Sequence, residues 1–303
     1  MKVFVTGATG VMGRSAVTAL LAAGHDVACL ARSPASAEQV EALGATPVSG
    51  GLFDPDGLVN AFSGCEAVCN MATQVPVGYA AMRPGAWRVS DRIRAEGSRL
   101  VAKAARSAGV GLLVQESVSM VYADAGEEWI DETAPVVVNR AAEPMAMAES
   151  HAQGFGHEGL RTSVVLRLGS IVGDDEYTRW RLARARSGQP IGVGRPDGWV
   201  HVVHSDDVGS AVLAALGAPS GIYNVGAEPV RRRELTQVLA GAVGRDRSSF
   251  MSRTLVRLAG ERLELLARSQ RVSSQAFAVC TGWKPVHGSL SPDWVQGVLC
   301  DVA

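Results

Sequence analysis

A short apolar strand runs directly into three regularly spaced glycines near the start of the chain. Residues 3–6 read Val-Phe-Val-Thr, and Gly7, Gly10 and Gly13 precede an amphipathic segment from Arg14 to Ala23. In such a strand–loop–helix unit, one glycine makes the tight turn, one lets backbone approach a pyrophosphate, and one lets the helix pack closely. The helix N-terminus then faces the phosphate charge. The pattern predicts a dinucleotide-binding loop made by Gly7, Thr9, Gly10, Val11, Met12 and Gly13.

The alternation of apolar runs and helical periods continues along the chain. We predict strands at residues 27–31, 46–48, 67–71, 112–115, 163–167 and 222–225. We predict helices at residues 36–43, about 87–107, 206–216, about 233–243 and 255–267. Apolar strands that alternate with helices are typical of a parallel sheet covered on both faces. The predicted fold class is therefore α/β, with a doubly wound parallel sheet.

Composition restricts the partners of the chain. Its 303 residues carry a net charge of −1 with both signs interspersed, which argues against nucleic acid and anionic membranes as partners. No apolar run approaches the roughly 20 residues of a membrane span. The five cysteines are scattered without nearby histidines, so we predict buried thiols and no metal site. Together with a first strand that starts at Lys2, these features predict a cytoplasmic protein that binds a small-molecule substrate.

The end of the second predicted strand indicates the type of nicotinamide cofactor. A fold that prefers NAD usually presents an acidic side chain to the ribose hydroxyls at this position. Here the position holds Arg32, followed by Ser33. A guanidinium can pair with a 2′-phosphate, so we predict NADP(H) in preference to NAD(H). The alternative is that Arg32 is a solvated surface residue.

Several further segments resemble the extended short-chain dehydrogenase/reductases of the NAD-dependent epimerase/dehydratase kind. The resemblance rests on Thr6-Gly-Ala-Thr-Gly-Val-Met-Gly13, Glu96-Gly-Ser-Arg-Leu-Val-Ala-Lys-Ala-Ala105, Val118-Ser-Met-Val-Tyr122, Val165-Leu-Arg-Leu-Gly169 and Tyr223-Asn-Val-Gly226. It implies a Rossmann domain at residues 1–168 and a smaller, mainly substrate-binding domain at 169–303, from which about 199–226 return to the first domain. It also implies a homodimer, and a cofactor cleft lined by Ala72, Thr73 and Leu168.

The catalytic residues of that family are missing from this chain. The family uses Asn, Ser or Thr, Tyr and Lys, and the corresponding positions hold Arg94, Val118, Met145 and Glu149. No Tyr-x-x-x-Lys occurs anywhere in the sequence, and Gly51 stands where the family has an adenine-contacting Asp. Since a positioned general acid contributes about 10²–10⁴-fold to rate, an ordinary tyrosine-dependent ketoreductase is disfavoured.

Other residues near the expected cleft are candidates for catalysis. Glu149 lies one helical turn from Met145 and is either a buried acid or base, or a solvated helix residue. Glu116 is either paired, with Arg94 as a possible partner, or catalytic, because an unpaired buried carboxylate is costly. An early strand end would bring Ser119 towards the vacated position, whereas core packing is the favoured role of Tyr122. For His201, His204 and the acidic pair after them, a helix N-cap at Ser205 is preferred to a metal site.

Three functional hypotheses follow. The first is an NADP(H)-dependent reductase of a small-molecule carbonyl or activated alkene, with a non-standard proton donor among Glu149, Ser119 and Tyr122. The second is a non-redox cyclase, isomerase or dehydratase that uses the cleft carboxylates for proton transfer. The third is a non-catalytic sensor of cofactor or ligand. The glycine loop slightly favours the reductase.

Overall fold

The N-terminal half of the chain alternates strands with helices, as the sequence predicts. The computed structural model describes residues 1–157, 161–258 and 260–299. Up to residue 168 the elements are β1 (Lys2–Thr6), α1 (Val11–Ala22), β2 (Asp26–Ala31), α2 (Pro34–Ala42), β3 (Thr46–Ser49), α3 (Pro55–Phe62), β4 (Ala67–Asn70), α4 (Arg88–Arg92), α5 (Ser98–Ser107), β5 (Leu112–Val118), β6 (Trp129–Ile130), α6 (Glu143–Gly156) and β7 (Thr162–Leu168).

Shorter elements dominate the rest of the chain. They are β8 (Ser170–Val172), α7 (Glu176–Arg186), β9 (Trp199–Val200), β10 (Val202–His204), α8 (Ser205–Ala215), β11 (Gly221–Val225), β12 (Val230–Arg231), α9 (Arg232–Ala242), α10 (Arg253–Leu258), α11 (Glu261–Ala267), β13 (Arg271–Val272), α12 (Gln275–Thr281) and α13 (Gln296–Leu299). The helix predicted over 255–267 is therefore two helices, and residue 259 between them lies outside the described residues.

Seven strands form a central parallel sheet in the order β3-β2-β1-β4-β5-β7-β11. The sheet is wound outwards in both directions from β1, so the predicted doubly wound α/β fold is confirmed. Because all seven strands run the same way, their carboxyl ends meet at one edge, where open α/β sheets bind ligands. β11 returns to the sheet beside β7, and the division into two domains at residue 168 stays a prediction.

Alternating side chains of each strand face two separate hydrophobic layers. In β1, Val3 and Val5 pack in the layer that contains α1 and α8, whereas Phe4 packs in the layer that contains α3 and α5. The Phe4 ring lies edge-on to Phe62 of α3, with 5.0 Å between the ring centroids. This period-two alternation is what a strand buried on both faces requires.

Two local features differ from the sequence prediction. The helix α3 was not predicted, although Asp54 accepts a hydrogen bond from Gly57 N at 3.1 Å and Pro55 opens the first turn, which are ordinary helix-start signals. The single helix predicted over 87–107 is α4 and α5 joined by a π-helical segment, Ile93–Gly97. Such segments inside helices occur frequently at functional sites, and this one carries Arg94.

Burial of the thiols agrees with the sequence prediction in part. Cys29, Cys65 and Cys69 are buried, and burial raises the pKa of Cys29 and of Cys69 to about 12. Cys280 is exposed, and Cys300 lies outside the described residues. Within the parts of the chain that the structure describes, no helix is long and apolar enough to cross a membrane.

The close contact between α1 and α8 depends on Gly209. A Cβ at this position would overlap the Ser15 carbonyl, with the Ser15 C atom 2.6 Å away, and Gly209 N donates to Ser15 Oγ at 2.8 Å. We therefore expect Gly209→Ala to lower the free energy of unfolding by about 1–3 kcal/mol, measured by urea denaturation. Gly241→Ala in α9 is the matched control: its added Cβ meets nothing within 4 Å, and Ala is the better helix former. Equal effects of the two substitutions would contradict the prediction.

Candidate functional site

The three glycines after β1 have distinct structural roles. Gly7 adopts a φ of 70°, and a Cβ there would lie 2.6 Å from both Ala72 Cα and Met71 O. At Gly13 a Cβ would overlap the Gly7 carbonyl oxygen. At Gly10 it would meet only Gly7 O, at 3.5 Å. The outer glycines are thus required by packing, whereas the middle one leaves the approach to the loop open.

The N-terminus of α1 is suited to a pyrophosphate. Gly10 is its N-cap, no side chain caps it, and its first turn contains no acidic residue. The N–H groups of this 12-residue helix and its partial positive charge therefore point at the open side of the loop. Val11 and Met12 form the first turn, and the Thr9 carbonyl accepts a hydrogen bond from Arg14 Nη1 at 3.2 Å. These residues fit the phosphates of a dinucleotide.

The remaining predicted cofactor residues lie along the same edge of the sheet. Arg32 follows β2 and is exposed, and within the described residues it forms no ion pair. Ser33 is the N-cap of α2, so its hydroxyl already accepts a hydrogen bond from Ser36 N at 3.2 Å. Thr73 is half-buried in the loop after β4. Leu168, at the end of β7, is buried within the core layer.

The position of the missing Lys belongs to a closed ion pair. Glu149 of α6 is 6 % exposed and accepts two hydrogen bonds from Arg167 of β7, Nε to Oε1 at 2.8 Å and Nη2 to Oε2 at 2.7 Å. Ser117 Oγ donates to the same Oε1 at 2.6 Å. Burial works against the charge of Arg167, but Glu149 outweighs it and raises the pKa of the guanidinium. Glu149 is therefore held as the counter-ion of Arg167.

The position of the missing Asn belongs to a second buried ion pair. Arg94 donates from Nε and Nη2 to the two carboxylate oxygens of Glu116, both at 3.2 Å. Both side chains are buried. Of the two alternatives predicted for Glu116, the structure shows the paired one. Met145, at the position of the missing Tyr, is buried against Val121 and Ala142.

Residues 3–226, which run from β1 to the end of β11, match the NAD dependent epimerase/dehydratase family. The chain belongs to this family. Membership makes it an enzyme of the extended short-chain dehydrogenase/reductase class, as the resemblance predicts.

Three similar proteins illustrate the range of the family. A 3-diazoavenalumate denitrifying reductase from a Streptomyces species is 28% identical over 317 residues, which cover 98% of this chain and 99% of the relative. The Thermus thermophilus UDP-glucose 4-epimerase in complex with NAD is 26% identical with a TM-score of 0.74, covering 94% of both chains. The human epimerase family protein SDR39U1 (isoform2) with NADPH is 21% identical with a TM-score of 0.78, covering 97% of this chain and 98% of the other. The two similar solved structures therefore both contain a nicotinamide cofactor, NAD in one and NADPH in the other.

The two remaining candidate catalytic residues have different surroundings. The Tyr122 hydroxyl donates to Asn224 Oδ1 at 2.8 Å, and its ring lies 4.7 Å from the Arg167 guanidinium carbon. Burial raises the pKa of Tyr122, and Arg167 opposes this shift. Ser119 begins a 3-10 turn directly after β5, which extends to Val118, three residues beyond the predicted strand. That Ser119 takes the vacated position stays a prediction. No hydrogen bond of the Ser119 hydroxyl is found in the described part of the chain.

The histidines near α8 have structural contacts. His204, not Ser205, is the N-cap of α8, because its Nδ1 accepts a hydrogen bond from Asp206 N at 3.3 Å. Its Nε2 lies 3.3 Å from Trp294 O, so both ring nitrogens are engaged. The predicted cap at Ser205 is thus wrong by one residue, since imidazole nitrogen replaced the hydroxyl as acceptor. Burial lowers the pKa of His201 to about 3, which keeps this imidazole neutral.

A cleft lies between the carboxyl edge of the sheet and the C-terminal elements. Ser119, Ser170 and His201 line it from one side, and Tyr177, Arg181 and Arg232 line it from α7 and α9. Ser119 is the one candidate catalytic residue of the sequence analysis that lines this cleft. The cleft thus combines neutral polar groups near the sheet with three buried arginines, Arg181, Arg232 and Arg268.

Sequence reasoning missed several polar residues at this edge. Thr6 Oγ1 donates to Asn70 Oδ1 at 2.5 Å, and Asn70 Nδ2 donates to Gln115 Oε1 at 2.8 Å, which links β1, β4 and β5. Arg167 was noted only for its place in a family segment. In each case the available signal was a polar or charged residue within or at the end of an apolar strand, which requires a buried partner.

The buried ion pair of Glu149 and Arg167 leads to a prediction about the free energy of unfolding. We expect Glu149→Gln to lower the free energy of unfolding by about 3–5 kcal/mol, because it leaves the Arg167 charge buried without its counter-ion. Replacing both residues, with Glu149→Leu and Arg167→Met, should cost less than the single substitution. Glu96→Gln is the control, since the Glu96–Arg92 pair is exposed and worth at most about 1 kcal/mol. If Glu149→Gln proves as mild as Glu96→Gln, the pair is not closed in solution.

Proposed function

We propose that this protein is an NADP(H)-dependent reductase that reduces a small electrophile without a tyrosine acid. The observation that carries the proposal is the Glu149–Arg167 ion pair, together with the buried Met145, in a chain whose glycine loop fits a dinucleotide. The loop provides for the cofactor, whereas the pair that donates a proton in the family is absent. A reduction that needs no protein acid satisfies both features.

The bound reduced nicotinamide would supply a hydride to the substrate. The chain itself supplies the N–H groups of α1 for the pyrophosphate and Arg32 for the 2′-phosphate. Both candidate carboxylates, Glu116 and Glu149, are buried and engaged by arginines, so neither is free to accept or donate a proton. The same pairing disfavours the non-redox alternative, which depends on free carboxylates.

The absence of a phenol acid bears on the substrate class. Reduction of a carbonyl or of an activated alkene leaves an anion that must be protonated, and Ser119 or water would have to provide that proton. When a hydride replaces a diazonium group, the carbon–nitrogen bonding pair leaves with dinitrogen and no proton is consumed. The Streptomyces relative is named as a denitrifying reductase of a diazo compound. We therefore place a diazonium-type electrophile ahead of a carbonyl or an activated alkene as the substrate.

Isotope transfer tests the proposed reaction. The purified protein is given deuterium-labelled NADPH with an aryl diazonium salt, an enone or a ketone in separate reactions, and products are analysed by mass spectrometry. We expect deuterium on the ring carbon of the diazonium product, with a rate at least about 10²-fold above that of the ketone. The diazonium rate should also vary little between about pH 6 and pH 9, because no general acid takes part.

A variant that cannot hold the cofactor controls for uncatalysed reduction. Gly10→Glu places a carboxylate at the N-terminus of α1, in space that a side chain can enter, and should repel the pyrophosphate without disturbing the fold. A ketone rate above the diazonium rate, or equal diazonium rates with Gly10→Glu, would refute the proposal.

Cofactor preference depends on Arg32. We expect Arg32→Glu to raise the dissociation constant of NADPH by about 10–100-fold, because a charge-assisted pair with the 2′-phosphate is replaced by repulsion. Binding of NADH should change little. Calorimetric titration measures both constants, and Arg247→Glu, which alters another exposed arginine, should leave both unchanged. An equal loss of NADH and NADPH binding would remove the basis for an NADP(H) preference.

Assembly as a homodimer and residence in the cytoplasm remain part of the proposal. The first rests on family resemblance, and the second on scattered thiols, three of which are buried. Light scattering of the purified protein measures its mass in solution and decides the first point.

A further inference from the structure

An arginine of α7 is buried at the cleft without a counter-ion. Arg181 is 4% exposed and lines the cleft. Its Nε and Nη2 atoms are fully buried and have no hydrogen-bond partner in the described part of the chain. A buried charge without a partner is expensive, so a position like this normally holds an ion pair. Here the nearest interactions are the Tyr177 ring, 5.2 Å from the guanidinium carbon, and Asp175 at longer range.

The acidic residue that interacts electrostatically with Arg181 is already hydrogen-bonded elsewhere. Asp175 is the N-cap of α7 and accepts hydrogen bonds from Thr178 N at 3.0 Å and from Thr178 Oγ1 at 2.5 Å. Burial raises the pKa of Asp175, while Thr178 and the charge of Arg181 oppose the shift. No ion pair joins Asp175 to Arg181 among the residues that the structure describes. Asp175 therefore interacts with the guanidinium only through space and satisfies none of its N–H donors.

A second arginine makes the same wall of the cleft more positive. Arg232 donates to the carbonyl oxygens of Arg195, Leu266 and Arg268, and these carbonyls carry no compensating charge. Burial lowers the pKa of Arg232 to about 10, which leaves it charged at neutral pH. Three buried arginines thus line the cleft, and of these Arg268 is paired with Glu264, whereas Arg181 and Arg232 form no ion pair among the described residues. The neutral His201, which also lines the cleft, adds no negative charge.

We propose that Arg181 is the recognition site for a carboxylate of the substrate. The planar guanidinium offers two parallel N–H donors that match a carboxylate, and the ligand charge would remove the cost of burying Arg181. Apolar side chains of Ile191 and Leu265 and the Tyr177 ring line the rest of the cleft. The substrate class is therefore a small organic acid with an apolar body. This inference deepens the proposed reductase function and rests on the same cleft.

Equilibrium binding of an unreactive acid tests the inference. The NADP⁺-loaded protein is titrated by calorimetry with cinnamate and with its neutral amide, cinnamamide. We expect cinnamate to bind about 10–100-fold more tightly than the amide, as a charge-assisted pair implies. In Arg181→Met this preference should vanish, whereas Arg181→Lys should keep part of it, because the charge remains and the fork is lost. Arg233→Met, which removes an exposed arginine of α9, should bind like the wild type.

Thermal unfolding provides a second readout that does not depend on affinity alone. Ligand-free Arg181→Met should melt at or above the wild-type temperature, because an uncompensated buried charge has been removed. Cinnamate should then stabilise the wild type and not this variant. A lower melting temperature of Arg181→Met together with an unchanged preference for the acid would overturn the inference.

The chemical class of the anion is tested in the same experiment. Inorganic phosphate that binds through Arg181 while cinnamate does not would replace the carboxylate assignment and overturn it. Because binding needs no hydride transfer, Arg181-dependent binding of cinnamate would support this site even if every tested substrate failed to be reduced. In that case the result would refute the proposed reaction and leave the proposed carboxylate site intact.

Discussion

The buried ion pair of Glu149 and Arg167 determines what chemistry the carboxyl edge of the sheet can perform. Each group alone would be costly there, and together with Ser117 they satisfy one another. Since Glu149 stands on α6 and Arg167 on β7, the pair also ties the helix to the sheet behind the cleft. A lysine at residue 149 would place two cations side by side, so the family residue cannot simply be restored.

The second pair extends this constraint to the neighbouring strand. Arg94 and Glu116 join the π-helical segment to β5, so that two arginines and two carboxylates lie buried behind one site. Their charges cancel within the protein, and none is left over to assist a proton transfer. By contrast, the glycine loop keeps the close contacts of Gly7 and Gly13 that a dinucleotide-binding turn requires. The chain thus combines a loop geometry suited to the cofactor with buried, paired charges at the positions where the family has groups that handle protons.

Sequence predicted those parts of the site that follow from local spacing. Gly7, Gly10 and Gly13 could be assigned to a dinucleotide-binding loop because their geometry depends only on a short local segment. The parallel sheet could be predicted from the alternation of apolar runs with helical segments. The pairing of Arg94 with Glu116 could be suggested, since both are charged residues in otherwise apolar surroundings. The partner of Glu149 could not, because contact with Arg167 depends on how α6 packs across β7.

Arg181 shows why the recognition side of the site stayed hidden in the sequence. Helix α7 reads Glu-Tyr-Thr-Arg-Trp-Arg-Leu-Ala-Arg-Ala-Arg and lacks a clear apolar stripe, so nothing in it separates the buried arginine from its neighbours. Only the packing of α7 against α9, β8 and β10 selects Arg181 for burial.

The burial of Arg181 links the proposed reaction to the selection of its substrate. In the proposed reductase, which uses no tyrosine acid, the need for a proton does not distinguish one substrate from another. An unpaired guanidinium that is only 4% exposed at the cleft offers selection by charge instead, because a neutral ligand would leave Arg181 desolvated and unpaired. Discrimination against ligands without an anionic group then follows from the cost of that unpaired charge, much as a polar site rejects an analogue that lacks its hydrogen-bonding group.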